Sequence, residues 1–139
     1  MASTPSSAEL QKAIEITTRS FLAAFTDVND QNDPSLINLD VEADCIRRML
    51  PRTMVEAFGL PVDFTITNEA YTQSIAQNIR VYPVQDSVIS DLVIEIARPH
   101  SHRNRTSCRK EGWESHPVEF SWFLDFNEDF SKVRRVTEF

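Results

Sequence analysis

"HPVEFSWFLDF", residues 116–126, is the stretch whose reading decides the fold. From Val118 onward, one alternating set is Val118, Phe120, Trp122, Leu124 and Phe126. The other is Glu119, Ser121, Phe123 and Asp125. Successive side chains of a strand point to opposite faces, so the pattern predicts a strand with one wholly apolar face. That face packs sheet against helix or lines an apolar cavity. The mixed face is open to solvent, to a polar-lined cavity or to a second subunit, and the last reading, with Phe123 as the apolar centre of the interface, explains it best.

The neighbouring segments extend this strand into a meander. The turn "NEDFSK" leads to a closing strand over 132–139, and upstream "VQDSVISDLVIEIAR", residues 84–98, predicts another long strand. Between them lies the polar run "PHSHRNRTSCRKEGWES", which reads as a solvated hairpin tip. The first half of the chain is helical instead. Residues 7–27 carry Leu10, Ile14, Thr17, Phe21 and Phe25 at helical spacing behind Ser6 or Ser7 as a cap. Asp33-Pro34 signals a short second helix near 33–38. Thr67 or Asn68 caps a third, with Tyr71, Ile75 and Ile79 on one stripe. "CIRRMLP" predicts a strand, and "TMVEAFGLPVDF" a strand or turn leading into a loop. Helices in one half and hairpins in the other give the α+β class: a curved, mainly antiparallel sheet against three helices.

With 139 residues, 41% hydrophobic and 25% charged, the chain predicts one domain, 8–139, behind a flexible tail, 1–7. A net charge of −7 argues against a nucleic-acid partner. No apolar stretch approaches the ~20 residues that span a bilayer, so no membrane partner is expected. The N-terminal segment lacks the charged-then-apolar order of a signal peptide, and Cys45 and Cys108 read as reduced thiols of a cytoplasmic protein. Two glycines, Gly59 and Gly112, cannot build a phosphate-binding loop, and no serine nucleophile elbow is present. His100, His102 and Cys108 lack the spacing of a zinc site. The basic cluster Arg98, His100, His102, Arg103, Arg105, Arg109 and Lys110 sits where a hairpin must turn.

Five short motifs in a fixed order carry a family resemblance: "FLAAF", "DCIRRMLP", "NEAY", "VEFSWFLDFNED" and "KVRRVTEF". Together they make the chain, over roughly 8–139, resemble the cone-shaped nuclear-transport-factor-2-like superfamily, within it the fungal polyketide-cyclase (SnoaL)-like branch. The resemblance implies a sheet curled around a cavity that holds a small apolar substrate. It implies no metal or organic cofactor, and sheet-to-sheet homodimers are common in such proteins. It implies isomerase or cyclase activity on terpenoid- or alkaloid-type intermediates, with dehydration the nearest chemical neighbour. Carried over residue by residue, its pocket positions are Arg47, His116, Phe120 and Glu138. Related enzymes often have tyrosines at the positions of His116 and Phe120, and histidine or glutamine near Arg47 and Arg48.

Several residues bear chemistry. Glu138 stands among apolar neighbours, and an enclosed carboxyl there has its pKa raised into the range of proton transfer. In water it would be an ordinary strand-end carboxylate. Arg47 and Arg48 point to opposite faces, so one can meet a developing oxyanion; the residue pattern leaves the choice open and the resemblance selects Arg47. His116 has the pKa of a proton shuttle but sits at a loop end. Glu119 reads as a structural hydrogen-bonder. Asp91 and Glu95 share one strand face, and Asp91 is the better cavity candidate. Phe21, Phe25, Tyr71, Phe120 and Trp122 form the expected apolar wall. A non-catalytic small-molecule-binding or assembly module of the same fold is the alternative, with a transport adaptor using the convex sheet a third reading.

Overall fold

The computed structural model describes residues 4–79, 84–96, 104–108 and 116–139. Helix α1, Ser7–Asp30, starts at a reciprocal cap: Ser6 Oγ accepts from the Glu9 N–H, and a Glu9 carboxylate oxygen accepts from the Ser6 N–H. It runs three residues beyond the predicted end and buries Ile14, Thr17, Thr18, Phe21, Leu22, Ala24, Phe25 and Val28. A 3-10 turn, Pro34–Asn38, follows, with Asp33 accepting from the Ser35 N–H as its cap. Strand β1, Val41–Met49, begins before the predicted "CIRRMLP". Helix α3, Asn68–Asn78, is capped by the Thr67 hydroxyl, which accepts from the Ala70 N–H.

Four features depart from the sequence reading. "TMVEAFGLPVDF", residues 53–64, carries most of a short helix, α2 at Arg52–Ala57, and β2 at Thr65–Ile66 follows it. The glycine read as a loop break is the helix stop: Gly59 has φ of 75° and donates to Glu56 O. Strand β3 ends at Val88 rather than at 98. Alternation reports which side is apolar, but only a partner strand makes a ladder, and Val88 pairs with Arg105 near the start of the partner. That partner, β4 at Asn104–Cys108, lies inside the polar run read as a hairpin tip. The basic residues Arg98, His100, His102, Arg103, Arg109 and Lys110 lie outside the described residues.

The fourth departure concerns the opening stretch itself. It is two strands, β5 at His116–Phe120 and β6 at Trp122–Phe126, and they belong to different sheets. One sheet has the order β3-β4-β5, the other β2-β1-β7-β6, where β7 is Val133–Glu138. Ser121 at the joint keeps a two-way backbone exchange with Phe139, at 3.1 and 2.8 Å. All pairings are antiparallel except β1 with β7, which is parallel.

The core lies between α1 and the inner face of the four-stranded sheet. Trp122, Leu124, Phe126, Val133 and Val136 face it, together with Val41 and Cys45 of β1. Phe123 and Asp125 are on the outer face, as the alternation requires. Cys45 is a buried free thiol. Among the described residues no helix is long and apolar enough to cross a membrane.

Leu124 is fully buried, whereas Phe123 is 41% exposed. Leu124→Ala is therefore expected to cost about 2–5 kcal/mol, the range for a leucine truncated in a packed core. Phe123→Ala should cost much less. Urea denaturation of the two variants checks the assignment of faces.

Candidate active site

The parallel pairing of β1 with β7 brings a strand from the first half of the chain and the last strand to one chamber. Arg47 is opposite Val136, and Met49 is opposite Glu138. On the other side of β7, Trp122 is opposite Glu138. Arg47, Glu138 and Trp122 therefore all emerge from the inner face. The Leu50 N–H donates to Glu138 O at 2.8 Å, which pins the last strand to the end of β1.

Arg47 points inward and is 3% exposed, while Arg48 is exposed. Its guanidinium lies over the Tyr71 ring, 4.1 Å from the centroid, and 5.8 Å from that of Phe21. Nη2 donates to Asn38 Oδ1 at 3.1 Å. Nε and Nη1 are buried without a hydrogen-bond partner. Asn38 is fixed in turn, donating to Asn68 O and to Thr72 Oγ1 at 3.2 and 2.6 Å. Asn68 Nδ2 donates to the carbonyls of Glu42 and Ala43 in β1.

Beside this network is a cavity of about 240 Å³. Phe25, Tyr71, Ile75, Ile79, Phe120 and Trp122 give most of its wall, with Val28 and Val84, and Glu138 and Asn78 are its polar members. The aromatic rings interlock: Phe25 meets Trp122 at 5.1 Å and Tyr71 at 6.5 Å, and Phe120 meets Trp122 at 5.8 Å. Burial pushes the Glu138 carboxyl up to about 7, with the charge of Arg47 pulling the other way. Burial likewise raises the Tyr71 phenol and lowers the Arg47 guanidinium. A carboxyl balanced near neutrality on an apolar wall can take up or release a proton at physiological pH.

The sequence candidates divide accordingly. Glu138, Phe25, Tyr71, Phe120 and Trp122 line the cavity. Arg47 enters the chamber but is not part of the cavity wall; the Tyr71 ring that covers it is. Phe21, expected in the wall, is core: it is buried one helical turn before Phe25 and packs edge-on against Phe25 and Trp122. Asp91 is exposed and stands outside the cavity, because β3 ends before it. The side chains of His116 and Glu119 lie outside the described residues. Among the described residues no cluster of His, Cys, Asp and Glu could hold a metal. Asn78 and Asn38 were missed. Asn78 continues the Tyr71–Ile75 stripe at helical spacing, so its position was a usable signal; Asn38 had none.

No protein-family model matches the sequence, and no curated protein does. Solved structures match throughout its length. The pinacolase BvnE from Penicillium brevicompactum superposes with a TM-score of 0.79 at 14% identity, covering 100% of this chain and 89% of its own. AusH from Aspergillus nidulans gives 0.75 at 15%, over 98% and 86%. PrhC from Penicillium brasilianum gives 0.64 at 15%, over 88% and 81%. The chain has the nuclear-transport-factor-2-like fold, a curved, unclosed sheet with helices from the N-terminal half, which it shares with these fungal proteins.

The Glu138 shift has a pH signature. Its folded pKa, about 7, is above the ordinary 4.5, so between these values the folded protein holds a proton that the unfolded chain has released. The stability linked to that proton is fully present below pH 4.5 and lost as pH rises to about 7. Glu138→Gln, which cannot ionise, should melt increasingly above the unmodified protein across this window. Parallel melting curves across this range of the two proteins would expose an unshifted carboxyl as identical pH dependence.

Proposed function

We propose that this chain is a cofactor-independent isomerase or cyclase acting on a hydrophobic polycyclic intermediate, terpenoid or alkaloid in type, of fungal specialised metabolism. The observation that carries the reading is Glu138: one carboxyl with a pKa near 7 in a cavity otherwise walled almost wholly by apolar side chains. Such a group serves acid–base catalysis, and the Phe25, Tyr71, Phe120 and Trp122 surfaces hold an apolar substrate in a reactive conformer. Glu138 moves a proton next to a carbonyl. Arg47 supplies the positive charge that steadies the oxygen on which negative charge gathers. The fungal likenesses support the pathway class, and the resemblance in sequence motifs supports the absence of a cofactor requirement.

The probe is 1-indanone, whose α-protons exchange with D2O through its enolate. The protein should accelerate that exchange above buffer, as read by proton NMR. Glu138→Gln should lower the acceleration by ~10²–10⁴, the usual loss for a positioned general base. Arg47→Met should also lower it, by less than Glu138→Gln, because the Arg47 charge acts from beneath the Tyr71 ring without touching the oxygen. Arg48→Ala, on the outer face, should leave it within about twofold, since surface changes away from a site rarely matter more. Exchange untouched by Glu138→Gln would remove the acid–base role and favour a binding module.

The same reading includes a two-fold dimer through the outer sheet face. Ile46 and Phe123 are 46% and 41% exposed there, among Arg48, Asp125, Arg135 and Thr137. A dimer should bury at least ~1,200 Å² in total, and Phe123→Asp should dissociate it. A monomer at micromolar concentration by light scattering would end this part of the proposal.

A further inference from the structure

The wall of the cavity holds a donor with nothing to donate to. Trp122 is 2% exposed, its ring lines the cavity, and its Nε1–H has no hydrogen-bond partner. A buried donor without a partner costs free energy that a ligand acceptor can recover. The rings of Phe21, Phe25 and Phe120 surround it. The other unpaired donors of the chamber, Arg47 Nε and Nη1, flank the same Phe21 ring. Among the described residues of the wall, Glu138 and Asn78 offer side-chain carbonyl or carboxyl oxygens.

We propose that the Trp122 indole N–H donates to a carbonyl oxygen of the ligand, and that the cavity takes an apolar ketone the size of two fused rings. This rests on the reading of the cavity as a small-molecule site. Trp122 and Glu138 are direct cross-strand partners on one face, which places their Cβ atoms about 4.5–5.5 Å apart. An oxygen held by the indole therefore brings the carbon next to its carbonyl within the neighbourhood of the carboxyl. Size follows from volume: an apolar cavity of about 150 Å³ admits benzene, and this one is about 240 Å³. A larger substrate would present a two-ring portion here.

The test compares 1-indanone with indane, which has the same fused rings and no carbonyl. The chain has two tryptophans, Trp113 and Trp122, so the indole signal missing from Trp122→Phe in a ¹⁵N-correlated NMR spectrum is that of Trp122. Expected is a downfield shift of this indole proton with 1-indanone that exceeds the shift with indane. Trp122→Phe, which keeps an aromatic wall, should weaken 1-indanone about tenfold and indane less than about twofold. Equal shifts with both ligands, equal weakening, or no binding of either would overturn the proposal. Should the variant not fold, Trp113→Phe leaves the Trp122 indole signal alone in the spectrum, and its two shifts decide. A moved indole signal without accelerated α-proton exchange would sink the acid–base reading and leave this one standing; accelerated exchange lost in Glu138→Gln with an unmoved indole would do the reverse.

Discussion

A buried guanidinium organises this fold. Arginine stays protonated in proteins, so at 3% exposure Arg47 must be met by other means than losing its charge. Burial without compensation is expensive, and the compensation here comes from two ring faces and one amide oxygen. Each of these fixes another element. The Tyr71 ring brings α3 over β1, Phe21 brings α1, and Asn38 brings the end of the 3-10 turn. Asn38 then binds α3 through Asn68 O and Thr72 Oγ1, and Asn68 returns to the β1 backbone. The network starts and ends on the strand that carries the charge. The Tyr71 part of the cavity wall is thus seated by the arginine beneath it.

Glu138 and Arg47 each oppose the effect of burial on the other. Burial alone would drive the carboxyl to its neutral form, and the nearby guanidinium opposes that. The carboxylate in turn favours the charged guanidinium, against a larger burial effect. Arg47 and Glu138, both described, make no ion pair with each other. That separation matters chemically. A direct contact would have fixed the carboxylate and lowered its pKa by a unit or more, whereas a field acting through the chamber leaves the proton labile.

Much of this was legible in the sequence where periodicity and chemistry coincide. The Ser6 cap, the α1 stripe, the Thr67 cap and the inward Trp122–Leu124–Phe126 set all follow from local rules that the tertiary structure did not override. Glu138 was legible because a carboxylate among apolar strand residues is anomalous. What stayed hidden depends on partners far away in the chain. Strand β4 is polar because its sequence does not announce a core face, and it is a strand through pairing with β3 and β5. Asn38 has a role only once Arg47, Asn68 and Thr72 surround it. Arg47 and Arg48 have equally apolar flanks, and the register with β7 decided between them.

The opening stretch shows how one alternation can serve two sheets. Ser121 leaves the ladder of β5 and enters that of β6 while its backbone stays paired with Phe139. Period two is kept through the joint, so Phe120 and Trp122 face the same side on either side of it. Their rings meet at 5.8 Å with a 40° tilt, and this corner is where the wall of the cavity turns. A single straight strand would have given a flat wall and no enclosure. Asp125, a carboxylate of the same stretch, is exposed on the outer face. Among the described residues, the carboxyl on the cavity wall comes from β7, where the parallel neighbour β1 places a positive charge on the same face.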